Sequence, residues 1–249
     1  NASSSGKANL RTTEQAFGDQ LHSYTIVDAI RDKTVLPFRV DYLNSFRVRD
    51  GIDNHDVEGI DTDSAYMNPQ RISAVVSYIL EHFDQKTKRH ASFQYKERRV
   101  NGFNSLFATS SIKAARAYYQ EFKRQQADLP EARRLSVGII YSYAPNAEAP
   151  GTGLLSEESM DPSALSQDDR AFLDEAIADY NQQFGASFGT DASGFEGYYT
   201  SLSTALAERR IDLVIVVDMF LTGFDSKSLN TLWVDKNLRA HGLIQAFSR

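Results

Sequence analysis

The residues most able to do chemistry fall in a few short stretches. Asp218-Met-Phe-Leu-Thr-Gly-Phe-Asp225 follows a strongly apolar run: it delivers one acid, passes through Gly223, and delivers a second. Glycine lets the backbone approach a ligand closely, and Asp225 could accept hydrogen bonds from ribose hydroxyls. The same pattern also describes a structural turn with a capping aspartate. Gln245 and Arg249 stand at i and i+4, so one helix face could bring both to a single phosphate. Arginine suits that task because its charge is permanent and its donors form a fork. Thr109-Ser110-Ser111 puts hydroxyls and free N–H groups at a helix start, where the dipole favours an anion or where the residues simply cap the helix. Lys86, Lys88, Arg89, Lys96, Arg98 and Arg99 form a basic cluster with Glu97 as the acid among them. Such a cluster is either a magnet for a polyanion or a solvated loop.

Other chemistry is excluded or weak. The 249 residues include no cysteine, which removes disulfides, thiolate metal sites and cysteine nucleophiles and suits a reducing cytoplasm. Gly6-Lys7 lacks the flanking residues of a phosphate loop. Glu121-Phe-Lys123 imitates part of a nuclease signature but sits on an amphipathic helical pattern with no metal-binding partner in view. The five histidines never fall at i,i+4, against a helical metal site. Trp233 and the pairs Tyr118-Tyr119 and Tyr198-Tyr199 read as core and interface rather than base-stacking platforms. The longest clean apolar run, Leu213 to Val217, is far short of the ~20 residues of a membrane helix, so no membrane partner is expected.

The elements that must position these residues follow from periodicity. Asn68-Pro69 reads as an N-cap with proline in the first turn, followed by a helical stripe of Ile72, Val75, Val76, Ile79, Leu80 and Phe83. After the basic loop, residues 103–109 read as a buried strand and Ile112, Ala115, Tyr119 and Phe122 as one face of a helix. Residues 135–143 read as a second strand, and 144–165 as a polar surface insertion. Ser166 and Asp169 resemble a capping box opening a helix with Phe172, Leu173, Ala176, Ile177, Tyr180 and Phe184 inward. Phe195, Tyr199, Leu202 and Leu206 mark another helix, residues 211–217 a strand covered on both faces, 231–234 a last short strand, and 242–249 the start of a helix. Thr25 to Arg31 reads as helical and 35–42 as extended. Alternating strands and helices predict an open, mostly parallel α/β sheet with helices on both faces, whose ligands gather beyond the carboxyl ends of the strands. Charge is uneven: residues 71–134 carry net +7 and residues 135–210 net −9, within an overall −6.

At this level of detail the chain resembles the motor (restriction) subunit of type I restriction–modification enzymes. The resemblance is carried by residues 211–225, 229–238 and 241–249, and extends through 103–111, 117–123, 139–144, Leu21-His-Ser-Tyr24 and residues 28–32. That family is a DNA translocase of helicase superfamily 2, whose two RecA-like lobes clamp ATP between them. The resemblance implies that residues 1–45 are the connector from the first lobe. Residues 46–249 would be the second RecA-like lobe, ending within the sixth helicase motif. It further implies that Phe103 to Ser110 is the fourth motif, with Thr109 and Ser110 toward the DNA backbone. Asp218 and Thr222 of the fifth motif would face DNA, and Gly223 and Asp225 the nucleotide. In the sixth, Gln245 joins Arg249, which would reach the γ-phosphate as the catalytic residue. Glycine commonly precedes that arginine, where Ser248 stands here. Lys88 and Arg89 are added to the DNA-binding set on charge alone.

The implied cofactors are ATP and Mg2+, held mainly by the first lobe, with none expected in this piece alone. The implied partners are double-stranded DNA, the methylation and specificity subunits, and the first lobe and nuclease domain of the same native chain. The expectation is therefore part of a type I site-specific deoxyribonuclease with ATP-dependent translocase activity, inactive by itself. Two alternatives stand beside it: a non-catalytic RecA-like docking module for the methylase–specificity core, and an unrelated α/β nucleotide-using enzyme such as a nucleotide-sugar transferase.

Overall fold

The computed structural model describes residues 23–34, 37–43, 65–141, 165–217, 219, 220, 224 and 226–236. Backbone contacts divide the chain into two units, 1–42 and 43–249. In the first, helix α1 (Ile26–Arg31) opens with a reciprocal cap: the Asp28 N–H donates to Thr25 Oγ1 and the Thr25 N–H donates to Asp28 Oδ2 at 2.9 Å. Residues 37–42 have no regular secondary structure, and Arg39 pairs with Asp41 at 2.7 Å.

The second unit contains helices α2 (Pro69–Lys86), α3 (Ile112–Gln126), α4 (Gln167–Phe184) and α5 (Ala192–Ala207). Its strands are β1 (Ser92–Tyr95), β2 (Arg98–Asn101), β3 (Asn104–Thr109), β4 (Val137–Ile140), β5 (Leu213–Val216) and β6 (Leu229–Asp235). Four strands form a sheet in the order β4-β5-β3-β6, and every pairing in it is parallel. The stretch expected as a basic loop instead folds into an antiparallel hairpin, β1–β2, joined through Lys96-Glu97. Phe93 of the hairpin stacks on Phe103, which anchors it to the base of β3.

Parallel strands covered on both faces should be apolar at consecutive positions, and β5 and β3 are buried along their whole lengths. Register puts Ile139, Ile215, Phe107 and Trp233 on one face. There Phe107 meets Tyr118 and Phe122 of α3 edge-on, and Trp233 meets Tyr78 of α2. Burying a side chain such as Phe107 contributes roughly 1.5–3 kcal/mol. On the other face Gly138 leaves room for α5: a Cβ there would fall 2.8 Å from Ile211 Cδ1 and 3.0 Å from Leu202 Cδ1. Tyr198 of α5 closes the contact by donating to the Ile139 carbonyl at 2.6 Å. The result is an α/β fold with helices on both faces, as the periodicity predicts.

Helices α2 to α5 all point their N-termini toward the carboxyl ends of the strands. Arg71 near the start of α2 meets Asp235 at the end of β6, while Asn230 at the beginning of β6 donates to the Lys86 carbonyl. Tyr141 just beyond β4 donates to the Asp169 carbonyl in the first turn of α4. Ser228, before β6, donates to the Leu206 carbonyl in the last turn of α5. Each N-terminus is capped by a side chain, from Asn68, Ser111, Ser166 and Asp191 in turn. The partial positive charge of four helices is thereby gathered on one side of the sheet.

Candidate functional site

At the carboxyl end of β3 the three hydroxyl residues divide their work. Thr109 is fully buried and its Oγ1 donates to the Val216 carbonyl at 3.1 Å, tying the exits of β3 and β5 together. Ser111 Oγ accepts the Ala114 N–H at 3.1 Å and caps α3. Ser110, between them, is exposed. Lys236 reaches from the end of β6 to the Val217 carbonyl with its Nζ at 2.7 Å, so the β6 exit is fastened to the β5 exit across β3.

Beyond β5, Asp218, Thr222, Gly223 and Asp225 lie outside the described residues, as do Gln245 and Arg249. Their described neighbours are informative. Met219 and Phe220 are buried, and Phe220 stacks on Tyr199 of α5 at 5.2 Å and leans on Phe224 at 4.8 Å. Phe220 has φ +63°, in the left-handed region that bulky residues almost never adopt. Strain of this kind persists only where surrounding packing over-determines it, and it clusters at ligand-binding sites.

The β6 exit carries a site no sequence signal disclosed. Arg71 makes a two-pronged ion pair with Asp235, one arm at 2.9 Å; Tyr118 donates to Asp235 Oδ2 at 2.5 Å, and Arg71 donates to Tyr118 Oη at 3.1 Å. Arg71 also donates to the Tyr66 carbonyl and lies over the Tyr66 ring. Burial works against the Arg71 charge, but Asp235 outweighs it and holds the guanidinium above its ordinary pKa. Burial, reinforced by Asp235, pushes the Tyr118 hydroxyl upward. The partners lie 164 residues apart, so no local spacing could have found them.

Lys88 and Arg89 lie at the other end of the sheet. Arg89 donates to the Arg134 carbonyl at 3.1 Å and stands 3.6 Å from Asp212, just before β5; the Phe103 N–H, just before β3, donates to the Thr87 carbonyl. Six residues of β3 separate this end from Thr109, about 17 Å at strand rise. The structure therefore does not bring Lys88 and Arg89 together with Thr109 and Ser110. Within the nuclease-like triplet, Glu121 pairs with Arg124 and Lys123 with Asp179 at 2.7 Å, so its charges serve α3 and its contact with α4. Among the described residues no group of three or more His, Cys, Asp or Glu side chains could hold a metal ion.

Comparison with known proteins adds identity to this geometry. Residues 101–249 match a family model described as type I restriction enzyme subunit R domain 3. Over 243 residues, 96% of the chain, it is 38% identical to the endonuclease subunit of type I restriction enzyme SauMRSORF196P from Staphylococcus aureus strain MRSA252. It is 39% identical over the same share to the SsaAORF53P endonuclease subunit from Staphylococcus saprophyticus. A 39-residue stretch, 16% of the chain and 4% of the relative, is 49% identical to the HindI endonuclease subunit from Haemophilus influenzae. The chain spans 24% of the length of the two staphylococcal relatives. A family match over more than half of its residues means that the chain belongs to the type I restriction enzyme subunit R domain 3 family.

Proposed function

We propose that this chain is the second motor lobe of an ATP-dependent DNA translocase within a type I restriction subunit. The observation that carries the reading is the strained turn at Phe220: it lies directly beyond the buried β5, inside the 218–225 stretch, on the side of the sheet toward which four helix N-termini point. Exposed Ser110 and the N–H groups opening α3 would contact a DNA phosphate, with Thr109 holding the strand exits in place. Asp218 and Thr222 are assigned toward DNA, Gly223 and Asp225 toward the nucleotide. Gln245 and Arg249 would complete the phosphate side of an ATP site whose remaining parts, including the Mg2+ ligands, belong to the first lobe. Bound there, ATP supplies the phosphoryl group whose developing charge Arg249 would stabilise. Backbone contacts suit a translocase because its movement must be independent of sequence. The partners on this reading are double-stranded DNA, the methylation and specificity subunits, and the first lobe and nuclease domain, in the bacterial cytoplasm.

The experiment is Arg249→Ala in the full-length subunit. A fall in DNA-dependent ATP turnover of more than about tenfold, or ~1.4 kcal/mol of barrier, with assembly retained, supports the reading. Turnover held within that limit while assembly with the methylation and specificity subunits fails would make the lobe a docking module instead.

A further inference from the structure

The amino ends of the parallel strands form a second face, and its exposed charge is mostly positive. Lys88, Lys96, Arg98, Arg99, Arg133 and Arg134 are exposed there, against the exposed acids Asp84, Glu97, Asp128 and Glu131. Part of this charge is structural. Arg134 donates to the Ala127 and Leu129 carbonyls just past the end of α3, Arg89 donates to the Arg134 carbonyl, and Arg98 donates to the Glu208 carbonyl at the end of α5. Those arginines satisfy the free carbonyls and negative dipole ends of helices.

Lys88 and Lys96 add exposed positive charge at the α2 exit and at the hairpin turn. Their φ angles are +48° and +53°, where asparagine or glycine would sit at lower cost. Arg209 has the same conformation, φ +58°, but its side chain is buried against Asp212. Lys88 and Lys96 hold it on the exposed face, where strain of this kind favours a ligand that uses the charge. The base of the hairpin is fastened to the α2 exit beside Lys88. Gly102 has φ +64° and approaches the α2 exit so closely that a Cβ would fall 2.4 Å from Arg89 Cα. The Gly102 N–H donates to the Ala91 carbonyl, and the Ala91 N–H to the Lys88 carbonyl at 2.8 Å. Arg99 of β2 is held across the hairpin by donating to Ser92 Oγ of β1.

We infer that Lys88, Lys96 and Arg99 form a DNA-backbone contact surface at the amino ends of the strands, separate from the strand-exit site. The inference rests on the reading that the subunit handles DNA, and it adds a second, sequence-independent grip remote from the ATP side. Flexible lysine stems suit it, since they supply point charges without reading base edges.

The test is the full-length subunit carrying Lys88→Asn, Lys96→Asn and Arg99→Gln, titrated with duplex DNA lacking a recognition site across 50–200 mM salt. The slope of log affinity against log salt should fall by about 2–3, close to 0.9 for each lost phosphate contact, with affinity reduced about tenfold or more. The thermal midpoint should stay at or above that of the unaltered protein, because asparagine tolerates the left-handed conformation. Exchanging the three residues as Lys88→Arg, Lys96→Arg and Arg99→Lys should preserve the slope. An unchanged slope and affinity in the triple variant overturns the inference. So does a variant that keeps its slope but loses the other subunits, which would make the face a site for an acidic polypeptide. Ser110→Ala and Arg249→Ala measured in parallel separate the two ideas: an altered slope here with those variants inert removes the strand-exit reading alone.

Discussion

Arg71 in the first turn of α2 and Asp235 at the last position of β6 form a buried, two-pronged ion pair that Tyr118 of α3 completes. Side-chain exposure is 7% for Arg71 and 11% for Asp235, so neither charge can turn to water if its partner is removed. Asp235→Asn or Arg71→Ala should therefore cost about 3–5 kcal/mol, well above an ordinary surface pair. Tyr118→Phe removes two hydrogen bonds, one to Asp235 and one from Arg71, but leaves the ion pair, and should cost about 1–2 kcal/mol. Urea unfolding distinguishes them; equal costs for all three would mean that the ion pair adds nothing beyond the tyrosine bond.

Gly138 sets how closely α5 approaches the sheet. Gly138→Ala should destabilise by about 1–3 kcal/mol, the usual cost of overpacking a filled core. The nearest atom to the added methyl is Ile211 Cδ1, at 2.8 Å. Ile211→Val deletes that atom, so adding it to Gly138→Ala should cost less than the sum of the two single changes. Strict additivity of the three unfolding free energies would show that the methyl is accommodated elsewhere.

Local pattern disclosed most of the fold because burial follows period. The predicted stripe of α2 is inward: Ile72, Val76, Ile79 and Phe83 are buried, and Val75 and Leu80 pack partly against the same core. Strand positions shifted only at their ends: the predicted 135–143 is strand over Val137–Ile140, with 142 and 143 outside the described residues, and 231–234 extends to Leu229–Asp235. Asn68-Pro69 and Ser166 cap as expected, although the Asp169 carboxylate meets the Ser166 hydroxyl in place of its backbone N–H. Of the tyrosine pairs, Tyr118, Tyr119 and Tyr198 are core residues, and Tyr199 packs partly against the core. What escaped was non-local or atypical. The β1–β2 hairpin turns on Lys96-Glu97, which lacks the Asn-Gly or Asp-Gly chemistry that marks such turns, so its strands were hidden under a run of charge. The Arg71–Asp235 pair joins distant segments. Lys88 and Arg89 enter the DNA-binding set on charge alone, and charge says nothing about which end of the sheet a residue occupies.

Glu121 offers a pH-dependent check. Bonds from Arg124, followed by Gln125 and Ser73, hold its carboxyl below the ordinary 4.5, at about 2. A depressed carboxylate stabilises the fold fully above its unfolded value and loses that contribution as pH falls from about 4.5 toward 2. Arg124 is 66% exposed, so solvent screening keeps the worth of the pair to ~1 kcal/mol. Glu121→Gln should lower stability by that amount at pH 6 and by progressively less toward pH 2. A constant difference across this range would show that packing, not charge, holds the side chain.

Thr109 and Ser110 adjoin each other yet should fail in different ways. The Thr109 hydroxyl is spent on the Val216 carbonyl inside the protein, so Thr109→Val leaves a buried acceptor unmatched and should cost about 1 kcal/mol of stability. Its effect on DNA affinity should be small, since the strand exits are also fastened by Lys236 to Val217. Ser110 is exposed, so Ser110→Ala should leave stability within about 0.5 kcal/mol of the original. If its hydroxyl meets a phosphate, DNA affinity of the full-length subunit should fall about two- to tenfold, the worth of one hydrogen bond to a charged acceptor in a wet interface. Urea unfolding and DNA titration on the same two variants decide the matter. A Ser110→Ala protein that binds DNA normally would leave only backbone N–H groups at the start of α3 to make the contact. A Thr109→Val protein that is fully stable but weak on DNA would show that this threonine, rather than its neighbour, faces the phosphate.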